Sequence, residues 1–262
     1  MGSAEIQGAV WSAGARTWAD LQEIQHAPIY QAAFDAIDVG SRVKLLDAGC
    51  GAGLALDIAR ARGADVTGLD AAEGLLTIAR ERLPLADLRQ GDLEEMPYTD
   101  DSFDAVTAFN SVQFAEQPLN ALTEIRRVCK PGHSVAITIW APAEENGMRF
   151  LLEALGPLRE PPPAGAPPVG PFTLSERGVL EALMKQAGLA VGEPIEVPTP
   201  WSYQDKETAV HGMLGTGPGV TAVAAAGEER TREVLGQAFE RFVGNDGTVL
   251  VNNKFRVLPA TA

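Results

Sequence analysis

Asp47 is followed by glycines at 49, 51 and 53, after a largely apolar run at 43–46 and before a helical pattern that begins at Leu54. A strand ending in an acid, a Gly-x-Gly-x-Gly turn and a helix start together make a place for a ligand. Glycines let the backbone turn sharply and approach a ligand where a Cβ would intrude, and the helix start offers unpaired N–H groups. Gly49, Cys50, Gly51 and Gly53 are therefore candidate cofactor contacts. Spacing narrows the choice of cofactor, because a dinucleotide-binding turn has its third glycine three residues after the second, and here that residue is Leu54. A carboxylate at Asp47 would repel a pyrophosphate but can pair with an ammonium group. The loop points to a cationic, phosphate-free, nucleotide-like ligand. Asp70 lies 17 residues after Gly53 at the end of a second strand-like run, where a carboxylate can accept both hydroxyls of a ribose.

The elements that must position these residues are legible in outline. Strand-like runs fall at 43–47, 65–69, 86–90, 103–109 and 134–140, and helical patterns at 54–62, 72–83 and 118–129 separate all but the third and fourth. Such alternation predicts a parallel sheet covered on both faces, with ligands at the carboxyl edge of its strands. Asn110, Ser111 and Gln113, just past the fourth strand, line that edge by location. Leu119, Leu122, Ile125 and Cys129 mark the sheet-facing side of the third helix, which Lys130-Pro131-Gly132 stops. Residues 1–40 carry helical spacing with Trp11, Trp18 and Tyr30. Beyond residue 140, the Pro-rich run 161–171 reads as a stiff surface connection. It is followed by a helix at about 174–187, a strand at 189–197, a lid-like stretch at 204–226, a helix at 228–243 and a final strand at about 248–258.

Several separate pieces occur in a fixed order: Asp47-Ala48-Gly49-Cys50-Gly51-Ala52-Gly53, Thr67-Gly68-Leu69-Asp70, Arg89-Gln90-Gly91-Asp92-Leu93, Asp101-Ser102-Phe103-Asp104, and Glu124 through Pro131-Gly132-His133. Together they resemble the class I S-adenosylmethionine-dependent methyltransferases over most of residues 41–140, in the small-molecule branch that includes quinone and natural-product enzymes. The resemblance implies an α/β fold, a Rossmann-like doubly wound sheet of seven strands, mostly parallel with the last strand antiparallel, and a helical cap. It implies N-terminal helices at 1–40 closing over the site and an S-adenosylmethionine-binding core at 41–140. Cap segments at about 141–173 and 199–246 would then interleave with the last strands of 141–262. Asp47 is placed near the cofactor's amino group, Asp70 beside its ribose, and Asp92 and Leu93 beside its adenine, with Ala71 a further cofactor-binding residue.

The implied reaction is methyl transfer to O, N or C of a small, partly aromatic metabolite. Transfer from a sulfonium needs nucleophile, methyl carbon and sulfur held in line, so positioning suffices and a general base is optional. Three histidines exist; His211 in the lid and His26 in the N-terminal helices are the catalytic candidates, and His133 reads as a surface residue. Trp11, Trp18, Tyr30, Phe114, Trp140, Trp201, Tyr203 and Met213 fall in cap segments or at strand ends and, with Gln113, form the expected substrate pocket. Packing outside the sheet is the plain alternative for each of them. A cyclase or isomerase that uses the sulfonium as a fixed charge fits the same motifs. A nicotinamide-dependent oxidoreductase is disfavoured by Leu54 and by the lack of a Tyr-x-x-x-Lys pair.

Composition excludes other classes. The chain of 262 residues carries 21 Lys and Arg against 35 Asp and Glu, a net charge of −14, which repels a phosphate backbone and argues against nucleic-acid substrates. Its two cysteines form no paired framework, its histidines no metal cluster, and no apolar run reaches membrane-spanning length. A cytoplasmic monomer or homodimer acting on a small molecule is the expectation.

Overall fold

The computed structural model describes residues 3–159 and 170–262. The chain opens with helices α1 (Ser3–Ala13) and α2 (Ala15–Thr17), an irregular helical run over 18–26, and α3 (Ala27–Ala36). The alternating core follows: β1 (Lys44–Ala48), α4 (Leu54–Ala61), β2 (Asp65–Asp70), α5 (Glu73–Arg82), β3 (Asp87–Gln90), β4 (Phe103–Phe109), α6 (Pro118–Val128) and β5 (Cys129–Trp140). Each predicted strand and helix of this region is present within a few residues, apart from β5, which starts five residues early. The rest comprises α7 (Met148–Leu155), α8 (Val179–Gln186), β6 (Ala190–Val191), β7 (Ile195–Pro198), β8 (Trp201–Tyr203), α9 (Lys206–Leu214), α10 (Gly217–Ala226), α11 (Glu228–Phe239), β9 (Val249–Val251) and β10 (Lys254–Thr261).

Strands β3-β2-β1-β4-β5 are parallel neighbours, and β10 lies antiparallel against β5. The sheet has eight strands rather than the expected seven. The extra strand comes from a break: β6 pairs Val191 with Ala260, and β7 pairs Ile195 with Val257, both antiparallel to β10. Between them Gly192-Glu193-Pro194 interrupts what the sequence reads as one strand, because proline cannot donate to a ladder. The final strand of the sequence reading is likewise two strands separated by Asn252-Asn253. Its first part, β9, leaves the main sheet and pairs with β8, with Trp201 opposite Val251.

Adjacent residues of β1 show why both faces are covered. Leu45 packs with Phe34, Leu56 and Phe255 on one side, and Leu46 packs with Val106, Leu122 and Ile137 on the other. Helix α6 buries Ala121, Leu122, Ile125 and Val128 against the sheet, while Leu119, in its first turn, is only half-buried. The Pro-rich connection falls outside the described residues up to 169. Among the described residues no helix is long and apolar enough to cross a membrane.

N- and C-terminal segments meet above the carboxyl edge of the sheet. Gln25 Nε2 donates to the Ser202 carbonyl at 2.9 Å and its Oε1 accepts from Ser202 N at 3.1 Å. The Tyr203 hydroxyl donates to Gln22 Oε1 at 2.7 Å. A Cβ added at Gly8 would lie 2.5 Å from the Ala71 carbonyl oxygen, so α1 lies directly on the turn that follows β2.

Candidate active site

The β1–α4 loop is held in shape by the end of β2. Gly49 N and Cys50 N both donate to the Leu69 carbonyl, at 2.7 and 3.0 Å, and Gly51 N donates to Asp70 Oδ2 at 2.8 Å. Gly49 has φ +88°, and a Cβ there would overlap the side chain of Ser111, whose hydroxyl donates to the Ala48 carbonyl at 2.7 Å. Glycine is required at 49 on both counts. Gly53, at φ +83°, sits at the entry to α4. The α4 terminus is not wholly free for a ligand, as the sequence suggests, because Leu54 N donates to Glu23 Oε1 at 3.3 Å.

Glu23 completes a set of three carboxylates around the loop. Its side chain is 3% exposed, and its Oε2 pairs with Arg82 Nη1 at 2.8 Å. The same Arg82 nitrogen donates to the Ala52 carbonyl at 2.7 Å, tying the N-terminal segment to the loop. Asp47 lies behind the loop, buried, and its Oδ1 accepts from the Thr107 hydroxyl at 2.9 Å. Asp70 Oδ1 accepts from Ala72 N at 2.8 Å.

Burial pushes the Asp47 carboxyl up to about 7, helped by the charges of Asp70 and Glu23 and opposed by the Thr107 bond. Burial also raises Asp70 against its backbone bonds, and raises Glu23 against the Arg82 pair. Of these three acids with raised pKa values only Glu23 pairs with a guanidinium among the described residues, so the region is short of positive charge.

A cavity opens in front of the loop, with about 1020 Å³ of empty space including its open mouth. Of the residues expected to hold a cofactor, Gly49, Gly51, Asp70, Ala71, Leu93 and Asn110 line it. Asp47, Cys50, Gly53 and Asp92 do not: the first two are buried behind the loop, Gly53 packs on Ala79, and Asp92 Oδ1 accepts from Glu94 N at 2.9 Å. Of the expected substrate residues, Trp11, Trp18, Tyr30, Gln113, Phe114, Trp140 and Trp201 line the cavity, and so does His26. Tyr203 and Met213 are instead core residues beneath the cap. His211 is exposed and lines a separate recess with Leu21, Asp205 and Arg232. The sequence reading missed Leu75, Phe109, Met148 and Pro218 in the wall, because apolar residues at helix and strand ends give no signal apart from core packing.

The polar groups facing this cavity are short of partners. Asn110 Oδ1, both amide atoms of Gln113 and Trp201 Nε1 are buried without a hydrogen bond. Unpaired buried polar atoms cost free energy, which a ligand can recover. Asn110 also holds φ +51° at the carboxyl end of β4, a strained conformation at a ligand-facing turn.

Residues 46–137, which span the Gly loop, β2, β3, β4 and most of β5, match the family described as methyltransferase domain. Segments of the chain resemble demethylmenaquinone methyltransferase of Streptomyces avermitilis, 36% identical over 129 residues, covering 47% of this chain and 55% of that protein. They also resemble malonyl-[acyl-carrier protein] O-methyltransferase of Erwinia pyrifoliae, 42% identical over 96 residues and 37% of each chain. The chain thus spans about half the length, or less, of these curated relatives. The chain shares a fold with the [4+2]-cyclase SpnF, at a TM-score of 0.56 and 22% identity over 89% of this chain and 80% of that one. The sheet order and flanking helices are those of the Rossmann-like methyltransferase fold.

Proposed function

We propose that the protein transfers the methyl group of S-adenosylmethionine to a small, partly aromatic metabolite. The observation that carries this reading is the pairing of a Gly loop with three convergent carboxylates and one guanidinium. A ligand bearing an ammonium and a sulfonium supplies the missing positive charge, whereas a pyrophosphate adds repulsion. The residues present fit that group: Asp70, whose oxygens keep lone pairs beyond their two backbone bonds, would hold the ribose hydroxyls, and Leu93 would flank the adenine. Asp47 would act through charge from behind the loop. When bound, S-adenosylmethionine supplies an electrophilic methyl carbon on a positively charged sulfur.

The chain's own contribution is to orient the acceptor and exclude water. Trp11, Trp18 and Phe114 pack edge to face, at 5.0 and 5.9 Å between centroids, and form a rigid apolar wall. Holding the reacting atoms in line within that wall is the main source of rate. The domain works in a reducing compartment, with Cys50 and Cys129 free and buried, as a monomer or homodimer. Segments 1–40 and 199–246 act as its cap.

The test is the mass of the product formed from aromatic hydroxy compounds, amines and quinols in the presence of S-adenosylmethionine. A gain of one methyl group supports transfer. An isomer of the starting compound would replace it with a cyclase or isomerase activity on the same fold.

A further inference from the structure

Beyond Trp18 the cavity changes character. The Trp18 Nε1 lies 4.0 Å from the place a Cβ on Gly51 would take, and the Trp18 ring centroid is 5.2 Å from that of His26. Trp18 thus lies between the cofactor loop and a part of the same cavity walled by His26, Tyr30, Phe109, Trp140, Met148 and Trp201. Carboxylates give way to aromatic rings there. His26 is 4% exposed and Trp201 is 1% exposed, and their rings lie 5.7 Å apart.

The tautomer of His26 follows from its contact with the Gln22 carbonyl. Nδ1 is 3.2 Å from the Gln22 carbonyl oxygen, which can only accept, so Nδ1 carries the hydrogen of the neutral ring. Nε2 is left as a bare lone pair, and no hydrogen bond reaches it from the described residues. Burial holds His26 down to about 4, against bonds from the Gln22 and Glu23 backbone that would raise it, so the neutral ring is the form present at neutral pH. Beside it Trp201 Nε1 is a donor with no acceptor. An acceptor and a donor on two rings of the cavity wall, with centroids 5.7 Å apart, complement a flat ligand that carries a hydroxyl.

We propose that His26 is the proton acceptor for a hydroxyl on an aromatic or enolic substrate, with Trp201 Nε1 donating to oxygen on the same substrate, so that oxygen is the atom methylated. This rests on the methyl-transfer reading above. In the step assigned to His26, the hydroxyl proton moves to Nε2 and the O–H electron pair stays on oxygen, which becomes the nucleophile. The Trp201 N–H and the new imidazolium face the developing negative charge, and the imidazolium afterwards releases its proton to water.

The experiment uses the full chain saturated with S-adenosylhomocysteine and measures binding of 2-naphthol and naphthalene by equilibrium dialysis. We expect 2-naphthol to bind at least tenfold more tightly than naphthalene. His26→Phe should abolish that preference, and His26→Gln, which keeps an acceptor, should retain part of it. Trp201→Phe should reduce the preference by a smaller factor. Equal affinities in the unaltered protein, failure of both probes to bind, or a preference that survives His26→Phe would overturn the proposal. Should His26→Phe not fold, His26→Gln and Trp201→Phe carry the same comparison. The S-adenosylhomocysteine titration that precedes the probes separates the two readings: its failure overturns the methyl-donor assignment, and its success with no hydroxyl preference overturns only the role of His26.

Discussion

Asp47 is the residue whose environment departs furthest from what its sequence position suggests. An acid at the end of a strand reads as a direct partner for an ammonium group, yet its carboxyl is buried and bonded to the Thr107 hydroxyl at 2.9 Å. Its effect on a ligand is therefore through charge, and its cost to the empty protein depends on pH. With its pKa raised from 3.8 to about 7, the unfolded chain loses the proton first as pH rises. The burden on stability is absent below pH 4, grows between about 4 and 7, and is complete above that. Asp47→Asn should thus match the unaltered protein near pH 4 and exceed it in stability by a few kcal/mol at pH 8, an order-of-magnitude expectation from linkage. Urea unfolding across this range checks it; a difference independent of pH would remove Asp47 as the source. Asp70, Asn110 and Gln113 were legible as cavity-lining residues because acids and amides past strand ends have few other uses. Tyr203 and Met213 were not, since aromatic and sulfur side chains fill a core as readily as a pocket.

At the scale of elements, the core alternation was readable because each strand of β1 to β5 is a distinct apolar run, separated for the most part by an amphipathic helix. Reading failed where elements are short or interrupted: β8 and β9 have three residues each, and Pro194 splits the outer strand in two. The link between the N-terminal segment and the Gly loop was also invisible. Glu23 and Arg82 are 59 residues apart and read separately as solvated charges, but together they join the 18–26 run, α5 and the loop carbonyl of Ala52. Removing one partner of such a pair leaves a buried charge, whereas removing both does not. Arg82→Ala should destabilise the protein by about 2–4 kcal/mol, and adding Glu23→Gln should restore at least half of the loss. Denaturant midpoints of the two single variants and the double variant test this; additive losses would show that the pair does not couple the cap to the loop.

The whole molecule is an acidic α/β domain in which the N-terminal helices meet the segment around residues 201–226 at one edge of the sheet. Its net charge of −14 disfavours polyanionic substrates, and the carboxylates around the loop repeat that preference locally. The packing of the N-terminal helices was not legible, because their contacts, such as Gly8 on the Ala71 carbonyl and Gln25 on Ser202, join segments far apart in sequence. The central claim is that this arrangement selects a phosphate-free nucleoside carrying an amino acid over a dinucleotide. Calorimetric titration with S-adenosylhomocysteine, run beside the same titration with NADH, tests it most directly. The account predicts micromolar binding of S-adenosylhomocysteine alone. It also predicts a loss of roughly 30- to 1,000-fold in Asp70→Ala, the ~2–4 kcal/mol expected when charged hydrogen bonds to a hydroxyl pair disappear. Binding of NADH with no response to S-adenosylhomocysteine would contradict it.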